Sequence, residues 1–201
     1  FRGNTLSNIE FPNTIINIYD CAFENCNSLQ ELILPPNLEY LGYEFLTGCS
    51  LIKNITIPKS LNRIYSSSSN YVFKGSSVEK VIIEDGSTTI LPYMFNLHST
   101  LKEIILPESI TTIKRSAFSS CSSLAEIYIP NSVEIIEDYA FSSSGLTSIT
   151  LPNNLMTIYN YLFKNCYELT QVNIQNGVTE ICNFAFSNCY KLQNIQLPNT
   201  V

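Results

Sequence analysis

One motif recurs along this chain at a fixed spacing, and it constrains the fold more than any other feature. The pattern is Leu-x-x-Ile-x-Leu-Pro-x-x-Leu-x-x-Ile-x-x-x-Ala-Phe-x-x-Cys-x-x. Successive copies begin at Leu6, Leu29, Ile52, Val78, Leu101, Leu124, Leu146, Leu169 and Leu192. The fifth is the most regular, running through Leu101, Ile104, Leu106, Pro107, Ile110, Ile113, Ala117, Phe118 and Cys121. Most copies are 23 residues apart; those at Val78 and Leu146 follow a one-residue deletion at Ser77 and Gly145. The third copy carries about four extra residues around Ser66, Ser67, Ser68, Ser69 and Asn70. A period held through eight units is the signature of a repeat solenoid, in which each unit is one coil.

Each position of the motif has a physical reading. Leu-x-x-Ile-x-Leu puts three apolar side chains on one face of a short extended segment. Proline then ends the strand, because it has no N–H to give to a ladder. Seven coils carry it, at Pro12, Pro35, Pro58, Pro107, Pro130, Pro152 and Pro198. The second half turns two more apolar groups inward, and Ala-Phe packs a small and a large side chain at the return turn. A single coil cannot bury its apolar face, whereas stacked neighbours cover it from both sides. The whole of residues 1–201 is expected to form one domain of about eight full coils, with partial coils at both ends. Equivalent strands should pair in parallel at about 4.8 Å, giving a stack on the order of 40 Å long.

Composition narrows the function classes. The chain is 45% hydrophobic, 14% charged and carries a formal charge of −6, with no run of Lys or Arg. That composition does not suit a disordered chain, and the charge would repel a nucleic-acid backbone. No apolar run approaches the ~18 residues needed for a membrane span, so this segment is not expected to insert into one.

The coils resemble the BspA-like leucine-rich repeats, the subclass with the Ala-Phe-x-x-Cys return. The motif stands outright at Ala22, Phe23 and Cys26, at Ala117, Phe118 and Cys121, and at Ala185, Phe186 and Cys189. The fourth coil departs most, with Glu84 in place of Pro and His98 in place of Cys. The resemblance implies a right-handed, curved, mostly β superhelix. Parallel strands would line its concave face, and the returns would be 3-10, helical or extended. It also implies a surface-exposed adhesive or ligand-binding protein, with a host matrix or cell-surface protein as partner. An intracellular scaffold for protein assembly is the alternative, and the two differ in cellular address. Phe1 falls in the Phe column of a preceding coil, and Val201 stops in mid-coil. With no atypical capping repeat at either end, the chain is expected to be an internal piece of a longer protein.

Five of the seven cysteines, Cys26, Cys49, Cys121, Cys166 and Cys189, fall in one column. There Cys is expected to act as a small apolar side chain at a tight turn. The pairs Cys26/Cys49 and Cys166/Cys189 would lie close enough for a disulfide, but their parallel Cβ vectors oppose one. Cys21 and Cys182 lie off the column. No Cys-x-x-Cys pair points to zinc. His98, the single histidine, would sit one coil from Cys121; it reads better as a tolerated polar residue at a turn than as half of a catalytic pair. Phosphate loops, Gly-x-Ser-x-Gly elbows and His-Glu-x-x-His motifs do not occur. No enzyme activity and no cofactor are therefore expected. Asn54-Ile55-Thr56 is a glycosylation sequon, with its place in a strand arguing against its use.

The residues between the inward positions of the first strand should face outward and line the concave sheet. The middle outward column reads Glu10, Ile33, Thr56, Ile82, Ile105, Tyr128, Thr150, Asn173 and Gln196. Ile82, Ile105 and Tyr128 come from consecutive coils and are expected to form an exposed apolar stripe. Such a stripe marks a contact patch or reflects strand preference alone. Glu79, Lys80, Lys102, Glu103 and Glu126 would form a charged rim beside it. With Ile33, Thr56, Thr150 and Asn173, these residues make up the candidate partner-binding face.

Overall fold

The repeat spacing puts like side chains one above another, and the computed structural model shows the resulting columns. It describes residues 1–65 and 71–201; the insertion at 66–70 lies outside the described residues. The chain is a parallel β-solenoid, with no helix of any kind among the described residues. The returns combine two-residue strands with consecutive turns, and the helical and 3-10 conformations expected for them do not occur among the described residues.

Each coil has three zones that can bond to its neighbours. The first is the strand of the Leu-x-x-Ile-x-Leu half: β3 (Asn54–Ile57), β5 (Lys80–Ile83), β7 (Glu103–Ile105), β10 (Ser148–Thr150) and β12 (Gln171–Asn173). They pair in parallel as β3-β5-β7 and β10-β12. The second zone is a two-residue strand in the other half of the coil. It comprises β1 (Asn17–Ile18), β2 (Tyr40–Leu41), β4 (Arg63–Ile64), β6 (Thr89–Ile90), β8 (Thr112–Ile113), β9 (Ile135–Ile136), β11 (Thr157–Ile158) and β13 (Glu180–Ile181). These pair as β1-β2-β4, β6-β8-β9 and β11-β13. Both interruptions of this second ladder fall at the coils that follow a one-residue deletion. Between the zones, proline sets a β-turn: its carbonyl accepts the N–H three residues on, as from Ile110 to Pro107 at 3.2 Å and from Leu155 to Pro152 at 3.3 Å. Glu84 and Gln175 take the same place in the coils without proline.

The third zone is the return turn. There two residues four positions apart adopt left-handed backbone, as do Ser116 (φ 53°) with Ser120 (φ 61°) and Tyr139 (φ 59°) with Ser143 (φ 58°). Left-handed backbone is costly for a side chain as bulky as tyrosine. The geometry turns alternate N–H groups along the solenoid axis. Tyr139, Phe141 and Ser143 donate to Asn160, Leu162 and Lys164 of the next coil at 3.1, 3.1 and 2.7 Å. The same triple of bonds joins the coils on either side, from Ser116, Phe118 and Ser120 and from Tyr161, Phe163 and Asn165. The second left-handed position is Asn25, Gly48, Gly75, Leu97, Ser120, Ser143, Asn165 and Asn188 in successive coils. Asn and Gly tolerate this backbone best.

The core follows the columns. Phe73, Phe95, Phe118, Phe141, Phe163 and Phe186 stack with centroids 5.3–5.8 Å apart. The second coil breaks the run, because Leu46 takes the Phe place and Phe45 the Ala place, and Phe45 meets Phe73 edge-on at 75°. Phe1 stacks on Phe23 at 5.3 Å, in the column predicted for it. The Cys column lies alongside. Cys49, Cys121, Cys166 and Cys189 donate their thiols to the carbonyls of Phe23, Phe95, Phe141 and Phe163 at 2.9–3.1 Å. All seven cysteines are free thiols, including Cys26/Cys49 and Cys166/Cys189.

The shortened coil before Leu146 closes on a glycine. A Cβ on Gly145 would lie 2.1 Å from the Ser122 carbonyl oxygen, and the Gly145 N–H already bonds the Cys121 carbonyl at 3.0 Å. Gly145→Ala is therefore expected to lose about 1–3 kcal/mol by overpacking against backbone. Phe118→Ala should lose roughly 3–5 kcal/mol as a truncation inside the ring stack. Denaturant unfolding checks both, and an unchanged midpoint for either variant would contradict the packing described.

Candidate functional site

The period-2 alternation of the first strand decides which side chains meet solvent. In β3 and β5 the inward residues Ile55, Ile57, Val81 and Ile83 are buried, while Thr56 and Ile82 between them are exposed. Thr56 pairs in register with Ile82, and Ile82 with Ile105. Ile82 and Ile105 are 36% and 43% exposed, high for isoleucine on a sheet. Tyr128 and Ile33 are more open still, at 64% and 70%. Neither sits in a ladder. No strand forms at 31–34 or 126–129, and among the described residues no backbone hydrogen bond joins either segment to its neighbours. The first ladder is thus a central three-stranded sheet flanked by two coils whose first segments stand free. The Tyr128 phenol donates to the Glu108 carboxylate at 3.2 Å, which leans the ring towards the fifth coil.

The charged rim is largely satisfied within itself. Glu79 takes Lys102 at 2.7 Å and Lys53 at 3.4 Å, and Lys80 takes Glu103 at 2.8 Å. The Lys102 ammonium, with Lys53 assisting, holds Glu79 below the usual carboxylate range. Glu126 is exposed and has no ion pair among the described residues. Farther along, Asn173 donates to the Thr150 hydroxyl at 2.9 Å, so this part of the face is a bonded polar ladder. The structure therefore brings together Thr56, Ile82, Ile105 and the Glu79, Lys80, Lys102 and Glu103 rim on one sheet. It sets Ile33, Glu126 and Tyr128 on free segments and places Thr150 with Asn173 on a second sheet. Lys53 and Glu108 escaped the sequence reading. Lys53 could have been found, since the column Lys53, Glu79, Lys102 alternates in sign from coil to coil. Glu108 could not, because its contact spans two coils through a side-chain tilt.

Two clefts open where the first ladder is interrupted. One, of about 250 Å³, lies between the second and third coils and is lined by Glu31, Ile33, Asn54, Thr56, Ile82 and Glu84 among others. The other, of about 360 Å³, lies between the sixth and seventh coils, against Glu126, Tyr128, Ile129, Ser148 and Thr150. In each, a threonine takes the middle outward place beside a larger apolar neighbour.

These coils, with their Ala-Phe-x-x-Cys return and thiol-to-carbonyl column, match a known repeat. The profile of the BspA type leucine rich repeat region fits the chain in six copies, across residues 1–95 and 66–193. The chain belongs to the BspA-type leucine-rich repeat family. Among solved structures it is similar to a leucine-rich repeat protein of T. pallidum, at 25% identity and a TM-score of 0.58, covering 90% of this chain and 72% of that one. A leucine-rich repeat protein from Bacteroides ovatus is 22% identical with a TM-score of 0.50, over 92% of this chain and 62% of that one. The pneumococcal vaccine antigen PcpA is 21% identical with a TM-score of 0.51, over 84% and 58%. The likeness to these last two concerns the fold, and the BspA-type chain spans under two thirds of each. No curated protein matches it.

The titratable groups of the BspA-type core are arranged for packing. Burial pushes the Cys49 thiol up to about 11 and Cys189 up to about 12, far from the thiolate a nucleophile needs. Among the described residues no three His, Cys, Asp or Glu side chains converge as metal ligands. His98 is 1% exposed and stacks on Phe73 at 5.0 Å; its Nε2 meets the Val78 carbonyl at 2.9 Å and the Ser76 hydroxyl at 3.4 Å. Nδ1 has no partner. Cys121 bonds the Phe95 carbonyl instead, so the two do not form a pair. Burial drops His98 from its ordinary 6.5 to about 4. The folded ring is neutral while the unfolded one takes up a proton below 6.5. Stability is thus whole above pH 6.5 and falls as pH drops from there to 4, by on the order of 3 kcal/mol. His98→Cys, which restores the column residue, should remove that part of the acid sensitivity when unfolding is followed between pH 7 and 4. An identical pH slope in both proteins would mean that His98 is not held neutral in the fold.

Proposed function

We propose that this chain is a non-enzymatic protein-binding module that uses the outward face of its first ladder, and that it acts as a surface-exposed adhesin. The observation that carries the binding face is the apolar ridge of Ile82 and Ile105, in register on adjacent strands, continued by Tyr128. The ridge has a paired Lys and Glu rim, which gives a partner a dry centre and a polar border. Family and fold together support a protein-interaction module. The BspA-type repeat supports the surface and adhesive part of the reading. A long rigid face built from stacked coils can engage a large partner with no moving parts, and the buried thiols and histidine leave no evident chemistry to perform.

Replacing Ile105 and Tyr128 together with Asp should abolish capture of matrix or cell-surface proteins while the unfolding midpoint stays within about 1 kcal/mol of the parent, as for exposed sites. Undiminished capture by the double variant would move the contact away from this face. Antibody labelling of intact against permeabilised cells tests the address: signal only after permeabilisation would favour the intracellular scaffold.

A further inference from the structure

Ile33 and Ile82 rise on either side of Thr56, and Tyr128 rises beside Thr150. The ridge is therefore bounded by two sockets, the clefts of about 250 and 360 Å³. Both have the same chemistry. Each wall carries aliphatic or aromatic side chains beside polar ones, Asn54 and Thr56 in the first and Ser148 and Thr150 in the second, and an exposed carboxylate stands at the rim, Glu31 at the first and Glu126 at the second. Glu84, also at the first, already accepts the Lys59 backbone N–H at 2.8 Å. The lysines of the central sheet offer nothing to these rims: Lys53 and Lys102 are bound to Glu79, and Lys80 to Glu103. Glu31 and Glu126 have no hydrogen bond or ion pair among the described residues, and the chain carries six surplus negative charges. Glu31 and Glu126 are thus uncommitted carboxylates, each at a cleft with apolar side chains in its wall.

We propose that the two sockets take cationic side chains of the protein partner, arginine above all, from one extended segment running along the solenoid axis over the ridge. This rests on the first-ladder face being the contact face. An arginine side chain has an apolar stem and a charged tip that donates five hydrogen bonds, so it matches a slot with apolar groups and hydroxyls in its wall and a carboxylate at the lip. Its planar fork can take a carboxylate by two parallel hydrogen bonds, which a lysine cannot. Thr56 and Thr150 lie four coils apart, about 19 Å at a parallel-strand spacing. An extended segment covers that distance in about six residues, so the two arginines should stand about six positions apart with apolar residues between them.

The test uses the whole chain and fluorescent synthetic peptides bearing two arginines six positions apart around a central leucine. The controls have either arginine replaced by citrulline, which keeps the shape and removes the charge, or the arginines placed three apart. The parent peptide should bind, and each citrulline should weaken binding about tenfold or more, as for loss of one charge-assisted bond. Glu31→Gln and Glu126→Gln should each do the same, and should flatten the dependence on salt. No binding of the parent peptide, or equal binding of the citrulline or closely spaced forms, overturns the sockets. If the paired Ile105 and Tyr128 change to Asp removes binding while both Gln variants leave it intact, the face stands and the sockets fall. If none of these variants matters, both readings fall together.

Discussion

In the returns of the first, fourth, fifth, sixth and seventh coils, two left-handed residues four apart aim alternate backbone N–H groups at the coil above, and the rest of the solenoid depends on the bonds they make. These bonds hold where the strands do not. Between the sixth and seventh coils neither the first nor the second ladder pairs, yet Tyr139, Phe141 and Ser143 still donate across the junction. The turn also fixes the height of the Phe column, because the middle donor of each triple is the backbone of the Phe itself. Ring stacking, thiol-to-carbonyl bonds and turn bonds are therefore set by one local geometry.

That geometry explains the tolerance of the columns. Val72, Met94 and Leu162 stand in for Ala, and Ser76, His98 and Ser144 for Cys, without loss of the stack. The neighbouring coils supply the volume and the polar partner; His98 finds the Val78 carbonyl, and Ser144 meets the Cys166 sulfur at 3.4 Å. What the column cannot accept is an unpartnered buried charge, which is why burial drives the histidine to its neutral form.

The outward face is less uniform than the core because nothing buried enforces it. A first strand forms here where a neighbouring coil pairs with it on at least one side. The second and sixth coils lack such pairing, and their Ile33 and Tyr128 stand clear of the sheet. The binding surface is in this sense a product of interruption: a paired, charge-balanced centre between two open sockets whose carboxylates have no counter-charge of their own. A partner that fills apolar slots and brings cations satisfies both deficits together.

The sequence by itself determined the solenoid, its coil boundaries, the buried columns and the alternation that turns Thr56, Ile82 and Ile105 outward. Those features follow from a 23-residue period and from burial, which every coil repeats. It also showed that Ile82, Ile105 and Tyr128 lie in successive coils. Tertiary structure alone decided that the returns are short strands and turns without helix, that the lysines are spent on neighbouring glutamates, that Tyr128 tilts onto Glu108 and that the first ladder opens on either side of the central sheet. Periodicity reports which face a residue takes. The spacing and tilt of one coil against the next arise from backbone bonds between segments 22 or 23 residues apart, and a single deleted residue or a single tyrosine is enough to shift them.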